Sequence, residues 1–476
     1  MQQGVDMQEQ EQVNIDELYA DARHWHVNTG GETIHAMRVP GRFRNFKWFA
    51  SCLWLLYLIA PYIRWEGHQA ILFNIPERQF HLFSITLWPQ DIWMLSLVLI
   101  LLAMTLFGVT AVAGRVWCGY FCFQTIWTDW FTWLEEKIEG TPVQRRKLDA
   151  APWSLRKIRL KLFKHTLWLL ISILTGVTFA AYFTDAFELW HSYLTFNAPQ
   201  VAWVVVAVFV FGTYVFAGFM REQVCFWLCP YARIQSVMVD KDTVLPTYDE
   251  GRGEPRGKVR GKGSEGRGDC IDCRLCVGVC PTGVDIREGM QEGCITCGMC
   301  IDACDSIMDK VNRPRGLIRY ASEKEMAGEV LPPLFRRPRV IAYSTIFLLA
   351  VGGIVYGLTH IPPVELSVVH ARQPLYIQMS NGMIENKYTI KALNKTSADR
   401  HFQLRVEGAP GVHIVGDAGA GIVLESGKMV PFHVFLAAEP AALKGEKMPL
   451  RLVLESIEPP AIRMEYDSVF IGPARH

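Results

Sequence analysis

Twelve of the thirteen cysteines in this chain fall at spacings that could do chemistry, and eight of them repeat one word. Cys270-x2-Cys273-x2-Cys276-x3-Cys280-Pro281 is followed by Cys294-x2-Cys297-x2-Cys300-x3-Cys304. This is the bacterial ferredoxin spacing for [4Fe–4S] clusters, in which the fourth cysteine of each run ligates the other cluster. One cluster is therefore assigned to Cys270, Cys273, Cys276 and Cys304, and the second to Cys294, Cys297, Cys300 and Cys280. Soft thiolates at such intervals wrap a compact iron–sulfur cube from a short loop, and a tandem copy is not expected by chance. Paired zinc knuckles would place ligands two plus two rather than three on one tight loop. A disulfide framework would need an oxidising compartment. The second run lacks the trailing proline and carries Asp305 instead.

Four more cysteines form two matched pairs, Cys118-Gly-Tyr-Phe-Cys122 and Cys225-Phe-Trp-Leu-Cys229-Pro230. Residues four apart share a helix face, so each pair could present two sulfurs, and two pairs could converge into a site of two to four thiolates. Arg115 and Arg221 precede them, and nearby positive charge would favour the thiolate form. Soft thiolates select Cu(I), zinc or iron–sulfur clusters. The competing reading, small buried residues in helices, is weakened because the pairs match and neighbour a ferredoxin word. Cys52 has no partner in its own apolar segment and is read as a packing residue.

These groups must be held by membrane helices. Half of the residues are hydrophobic, the mean hydropathy is +0.14, and Trp (15) and Phe (26) are abundant, as membrane interfaces favour. A net charge of +1 gives no support for a nucleic-acid partner. Apolar windows of membrane-spanning length predict five spans: Phe46 to Ile63, Ile92 to Ala113, Phe163 to Phe183, Val201 to Met220 and Val340 to Leu358. Lys and Arg crowd the loops after the second and fourth spans, whereas Thr184 to Gln200 has none. Positive-inside bias then places the N-terminus, the 114–162 loop and the 221–339 segment in the cytoplasm, and an odd number of spans leaves the C-terminus on the far side of the membrane. Both cysteine pairs follow inward-running spans, so both would lie at the cytoplasmic face. Met1 to Val13 is polar, so no cleavable signal peptide is expected.

The expected division is an N-terminal segment 1–45, a membrane domain 46–220, a linker 221–268, a ferredoxin domain 269–312, a linker 313–339, a fifth span 340–360 and a C-terminal domain 361–476. Within the first linker, Tyr248 to Gly268 is rich in Gly, Arg and Lys and reads as a flexible tether. Gly257-Lys-Val-Arg-Gly261-Lys262 is not a phosphate loop: it is one residue short and Gly263 replaces the hydroxyl residue. From Glu365 onward, alternating runs such as Leu375–Met379, Tyr388–Leu393, Phe402–Val406, Val430–Phe435, Leu450–Leu454 and Asp467–Ile471 are divided by Gly, Pro and Asn turns. About seven strands in about a hundred residues suggest an antiparallel immunoglobulin-like sandwich, read as a docking or structural module. The fold class is thus a polytopic α-helical membrane protein with an inserted α+β two-cluster ferredoxin domain and a C-terminal all-β sandwich.

Histidines add little. His24, His26 and His35 precede the first span, His165 opens the third, and His191, His360 and His370 lie in or near far-side segments. There is no Cys-x2-Cys-His for attached haem, and isolated histidines at a membrane edge read as interfacial anchors.

Together these residues resemble the CcoG/FixG/RdxA family. The resemblance is carried by the five spans, Trp117-Cys118-Gly119-Tyr120, Gln124-Thr125-Ile126-Trp127-Thr128-Asp129 and Cys229-Pro230-Tyr231-Ala232-Arg233. It continues in Arg252-Gly-Glu-Pro-Arg256, the cluster runs and Gly316-Leu-Ile-Arg-Tyr320. Phe123 departs from the family's proline. Members are accessory proteins for cbb-type cytochrome c oxidase assembly. The resemblance implies a cupric reductase that reduces Cu(II) to Cu(I), with copper held at Cys118, Cys122, Cys225 and Cys229. Implied partners are oxidase subunits, copper transport or chaperone proteins, and a cytoplasmic or quinol electron donor; a homodimer stays open. The alternatives are a quinol-linked electron-transfer subunit and a non-catalytic assembly scaffold.

Overall fold

A computed structural model describes residues 34–473 except 35, 66, 84, 259–265, 397, 418, 444 and 460. His24, His26, His35 and the polar stretch Met1 to Val13 lie outside the described residues. The chain divides into two compact units, 1–354 and 355–476.

The long apolar windows after the first fold as helices because no proline interrupts them, and the Ser and Thr side chains within them bond back to the carbonyl four residues earlier. Among the described residues four helices are long and apolar enough to cross a membrane: Ile92–Ala113, Leu155–Ala181, Gln200–Met220 and Pro338–Thr359. The shortest, at 21 residues, is about 32 Å long at 1.5 Å per residue, matching a bilayer core of about 30 Å. Ile92–Ala113 is apolar all round and exposes Leu95, Leu99 and Leu102, as a lipid-facing helix does. Leu155–Ala181 starts earlier than the apolar window because Ser154 caps it, its Oγ accepting from the Lys157 N–H at 3.2 Å.

The expected first span differs. Its helix, Arg42–Leu53, breaks at Trp54, restarts as Leu55–Ile59 and tightens into Ala60–Tyr62 around Pro61. Arg44 and Lys47 are buried in its first half and pair with Asp129. The helix is therefore docked on protein through charges, and this segment is not among the four long apolar helices.

Between this segment and Ile92 lie two small antiparallel sheets, β1 (Arg64–Trp65) with β2 (His68–Gln69), and β3 (Ile71–Asn74), β4 (Gln79–Leu82) and β5 (Ile85–Leu87). The cysteine-rich region folds as loops around two short helices, Leu275–Gly278 and Met299–Lys310, flanked by the ladder of β6 (Leu245–Tyr248) on β7 (Ile318–Ala321). The tether reading of Tyr248 to Gly268 is corrected for its described part. Glu250–Gly253 is helical, the Asp269 N–H bonds the Arg252 carbonyl, and the Gly257 N–H bonds the Cys270 carbonyl. Arg252, paired with Asp269 at 2.6 Å, is what ties this glycine-rich stretch down.

The second unit is a two-sheet antiparallel sandwich. One sheet runs β12 (Val412–Ile414), β14 (Met429–Ala438), β10 (Ile384–Asn394), β8 (Val364–His370), with β9 (Ile377–Gln378) also on β10. The other runs β13 (Ile422–Leu424), β11 (Arg400–Glu407), β15 (Lys447–Ser456), β16 (Arg463–Ile471). Period-two alternation puts Tyr388, Ile390, Phe402, Leu404, Val434, Leu452 and Phe470 into one shared core. The described residues of this unit thus hold nine strands. The three-residue β12 and β13 are too short to register as alternation in the sequence.

Candidate functional site

Both cysteine runs curl alike. In each, the second and fourth residues after the first cysteine take left-handed backbone: Asp272 (φ 53°) and Arg274 (φ 55°), Thr296 (φ 48°) and Gly298 (φ 71°). Such alternation turns successive N–H groups to one side. The amides of Leu275, Thr296 and Met299 act on Cys273, Cys294 and Cys297, and the Val284 N–H donates to Cys280 Sγ at 3.4 Å. Two small cavities of similar size result. The first is lined by Cys270, Cys273, Cys276 and Cys304, the second by Cys280, Cys294, Cys297 and Cys300. Among the described residues no three Cys, His, Asp or Glu side chains gather tightly enough for one metal ion, and all thirteen cysteines are free of disulfides. Rings of four thiols around apolar space, with amide donors on the sulfurs, fit an iron–sulfur cube rather than a single ion.

The cavities are neighbours, since Cys276 lines both. The second one backs onto the membrane-edge segment Val116–Tyr120. There the Tyr120 Oη donates to the Cys297 carbonyl at 2.7 Å. A Cβ on Gly119 would stand 2.6 Å from the Ile295 carbonyl oxygen, so only glycine permits this approach. Phe226, between the second pair of cysteines, packs on Gly293, where an added Cβ would meet its ring at 2.4 Å. Cys118 is buried in the same apolar cluster as Cys276, Cys294 and Cys297. The order is first cavity, second cavity, membrane-edge thiols.

Neither Cys-x3-Cys pair lies on one continuous helix, which corrects the shared-face expectation. Cys118 sits in Val116–Tyr120 and Cys122 caps the next helix, Phe123–Glu139; Cys225 sits in the π-turn Val224–Leu228 and Cys229 caps Pro230–Met238. The break aims both pairs at a common region, where the charge of each of the other three thiols acts on Cys225. The expected thiolate bias is also corrected. Burial pushes the Cys118 thiol up to about 11, outweighing Arg115, and the Cys225 thiol up to about 12. Metal binding here would therefore release protons. Arg221 points elsewhere, bonding Glu135 at 2.8 Å and the Gly218 carbonyl.

Three family models match: a 4Fe-4S dicluster domain over 220–323, the IG-like fold at the C-terminal of FixG over 354–473, and a 4Fe-4S binding domain over 95–142 and 200–239. Protein RdxA of Cereibacter sphaeroides is 40% identical over 429 residues, 86% of this chain and 91% of that protein. Nitrogen fixation protein FixG of Rhizobium meliloti is 39% identical over 449 residues, 85% of this chain and 86% of that protein. Protein RdxB of Cereibacter sphaeroides is 39% identical over 462 residues, covering 93% and 96%. The chain belongs to the FixG/RdxA family.

As a FixG/RdxA-family chain it is an iron–sulfur electron-transfer protein. Several of its site residues carry no local sequence signal. Gln235, fully buried, accepts from Cys118 Sγ at 3.3 Å and from Arg115 Nε at 3.2 Å. Arg115 itself also bonds the Glu292 carbonyl, and its charge acts on Cys118, Cys225 and Cys294. It is thus shared by the thiol site and the second cavity. Lys47 acts likewise on Cys297. A further pocket reaches Cys225 and Ile295 and is lined by Arg38, Arg44, Lys47, Arg221 and Asp129. Cys52 is exposed. His165 bonds Tyr214, His360 bonds the Tyr356 carbonyl, and His370 bonds Asn386; His191 lies on the Ala186–Leu194 helix.

Proposed function

We propose that this FixG/RdxA-family protein reduces Cu(II) to Cu(I) for haem–copper oxidase assembly. Cys270, Cys273, Cys276 and Cys304 would hold one [4Fe–4S] cluster, and Cys280, Cys294, Cys297 and Cys300 the other. A bound cluster stores one electron, the stoichiometry of Cu(II) reduction. The observation that carries the reading is the contact of the Cys118–Tyr120 segment with the Ile295–Cys297 loop, which sets the substrate thiols against the second cavity. Two of the four thiols suffice for Cu(I), a soft ion, and Arg115 offsets the negative charge of whichever thiolates form. The cavity beside Cys225 offers copper a route in. The basic loops support a cytoplasmic position for this assembly and a periplasmic one for the sandwich, whose docking partner would be an oxidase subunit or copper carrier.

The test is anaerobic reduction of the purified protein followed by Cu(II), with Cu(I) read by a specific chelator. One Cu(I) per stored electron is expected. Serine at Cys118, Cys122, Cys225 and Cys229 should abolish Cu(II) reduction and sulfur-bound Cu(I) with cluster absorbance intact; unchanged Cu(I)–sulfur coordination would sink the reading. A second reading has its own observation: the 4Fe-4S binding domain model matches the two repeats that hold the Cys-x3-Cys pairs. It predicts a third cluster's worth of iron, lost in the serine variant.

A further inference from the structure

His68 on β2 and His81 on β4 belong to no site described above. They sit in the two small sheets at the N-terminal end of the Ile92–Ala113 helix, while Cys118 follows its C-terminal end. That helix has 22 residues, so about 33 Å separates the two ends.

The imidazoles face each other, with centroids 5.1 Å apart and planes inclined by 33°. Two separate ladders set this: Trp65↔His68 pairs β1 with β2, and Leu72↔His81↔Thr86 runs across β3, β4 and β5. His68 Nδ1 meets the Gln69 carbonyl at 3.2 Å, and His81 Nδ1 meets Thr86 Oγ1 at 3.0 Å. A carbonyl only accepts, so His68 Nδ1 carries the proton and Nε2 carries the lone pair. The Thr86 hydroxyl can accept from His81 in the same tautomer. Among the described residues neither Nε2 has a hydrogen-bond partner. Both rings are half-buried.

We propose that His68 and His81 bind one copper ion through their Nε2 atoms, at a site separate from the cysteine pairs. Imidazole suits copper, and among divalent first-row metals copper binds nitrogen sites most tightly. No third Cys, His, Asp or Glu joins the pair among the described residues, which disfavours zinc and its usual three or four protein ligands.

The experiment titrates Cu(II) into the full-length, detergent-purified protein with its clusters kept oxidised, so that copper stays Cu(II). Three forms are compared by EPR: wild type, the four-serine variant at Cys118, Cys122, Cys225 and Cys229, and His68→Gln/His81→Gln. Two-nitrogen hyperfine structure is expected in the first two forms. In the glutamine variant affinity should fall on the order of tenfold or more, with iron content unchanged. Should that variant lose iron, the single substitutions decide, each leaving one-nitrogen coupling. A wild type without nitrogen coupling, or a double variant that keeps it, overturns the proposal. Persistence in the serine variant supports the imidazole site whatever becomes of Cu(II) reduction.

Discussion

The Tyr120 hydroxyl donates a 2.7 Å hydrogen bond to the Cys297 carbonyl, joining residues 177 apart in sequence. One partner stands between Cys118 and Cys122, the other lines the second cavity, so this bond ties the thiol site to the cavity nearest it. Tyr120→Phe leaves a buried carbonyl unmet, at a cost of about 1–3 kcal/mol. The cluster absorbance should survive, and its midpoint of thermal bleaching should fall.

Gly119→Ala tests the same contact through sterics. The new Cβ would stand 2.6 Å from the Ile295 oxygen and 3.1 Å from Cys297 Cα, and backbone cannot swing aside as a side chain can. Overpacking of this kind costs about 1–3 kcal/mol. Copper reduction should slow while iron content holds. Gly108→Ala, with nothing within 4 Å, is the silent control.

Arg115→Met removes a buried cation whose charge acts on Cys294, Cys118 and Cys225. The second cluster should become harder to reduce by tens of millivolts, the order expected for one charge at an effective dielectric of about 20. The first cluster, which Arg287 serves through Cys276, should move little. An EPR-monitored redox titration resolves the two; equal shifts would contradict the spatial order.

Glu135 accounts for a pH dependence that should be nearly flat near neutrality. Burial alone would raise its carboxyl, but Arg221, Lys164 and Arg145 hold it down at about 2. The folded pKa lies below the unfolded one, so its stabilisation is complete above about pH 4.3 and drains away as pH falls towards 2. Glu135→Gln strands two buried cations, Arg145 and Arg221, and leaves Lys164 to Glu139 alone, and should cost about 3–5 kcal/mol. Thermal unfolding of the two proteins at pH 7 measures it.

In the sandwich, buried Asn386 bridges the sheets: its Nδ2 donates to the Ile471 carbonyl at 2.8 Å and its Oδ1 accepts from the Ile471 N–H at 2.9 Å. Asn386→Ala should destabilise this unit by about 1–3 kcal/mol, with cluster absorbance unaffected. A parallel loss of clusters would show the two units to be coupled.

How much was legible followed from how local each signal is. The Ile92–Ala113 helix has the bounds read from the apolar run, because helical length and apolarity are properties of neighbouring residues. The broken first helix was not legible, since the buried pairing of Arg44 and Lys47 with Asp129 depends on a segment far along the chain. Tyr248 to Gly268 has the composition of a tether, yet Arg252 finds Asp269 and Arg319 finds Asp249.

By itself the sequence determined the ligand chemistry: two ferredoxin runs, two Cys-x3-Cys pairs and the apolar helices around them, all written in short spacings. Only the tertiary structure decided which cavity meets the membrane-edge thiols. It also decided that burial raises the Cys118 and Cys225 thiols rather than letting Arg115 lower them. The reason is physical. Cavity order and desolvation arise from contacts such as Gly119 on Ile295 and Tyr120 on Cys297, between residues that no spacing rule relates.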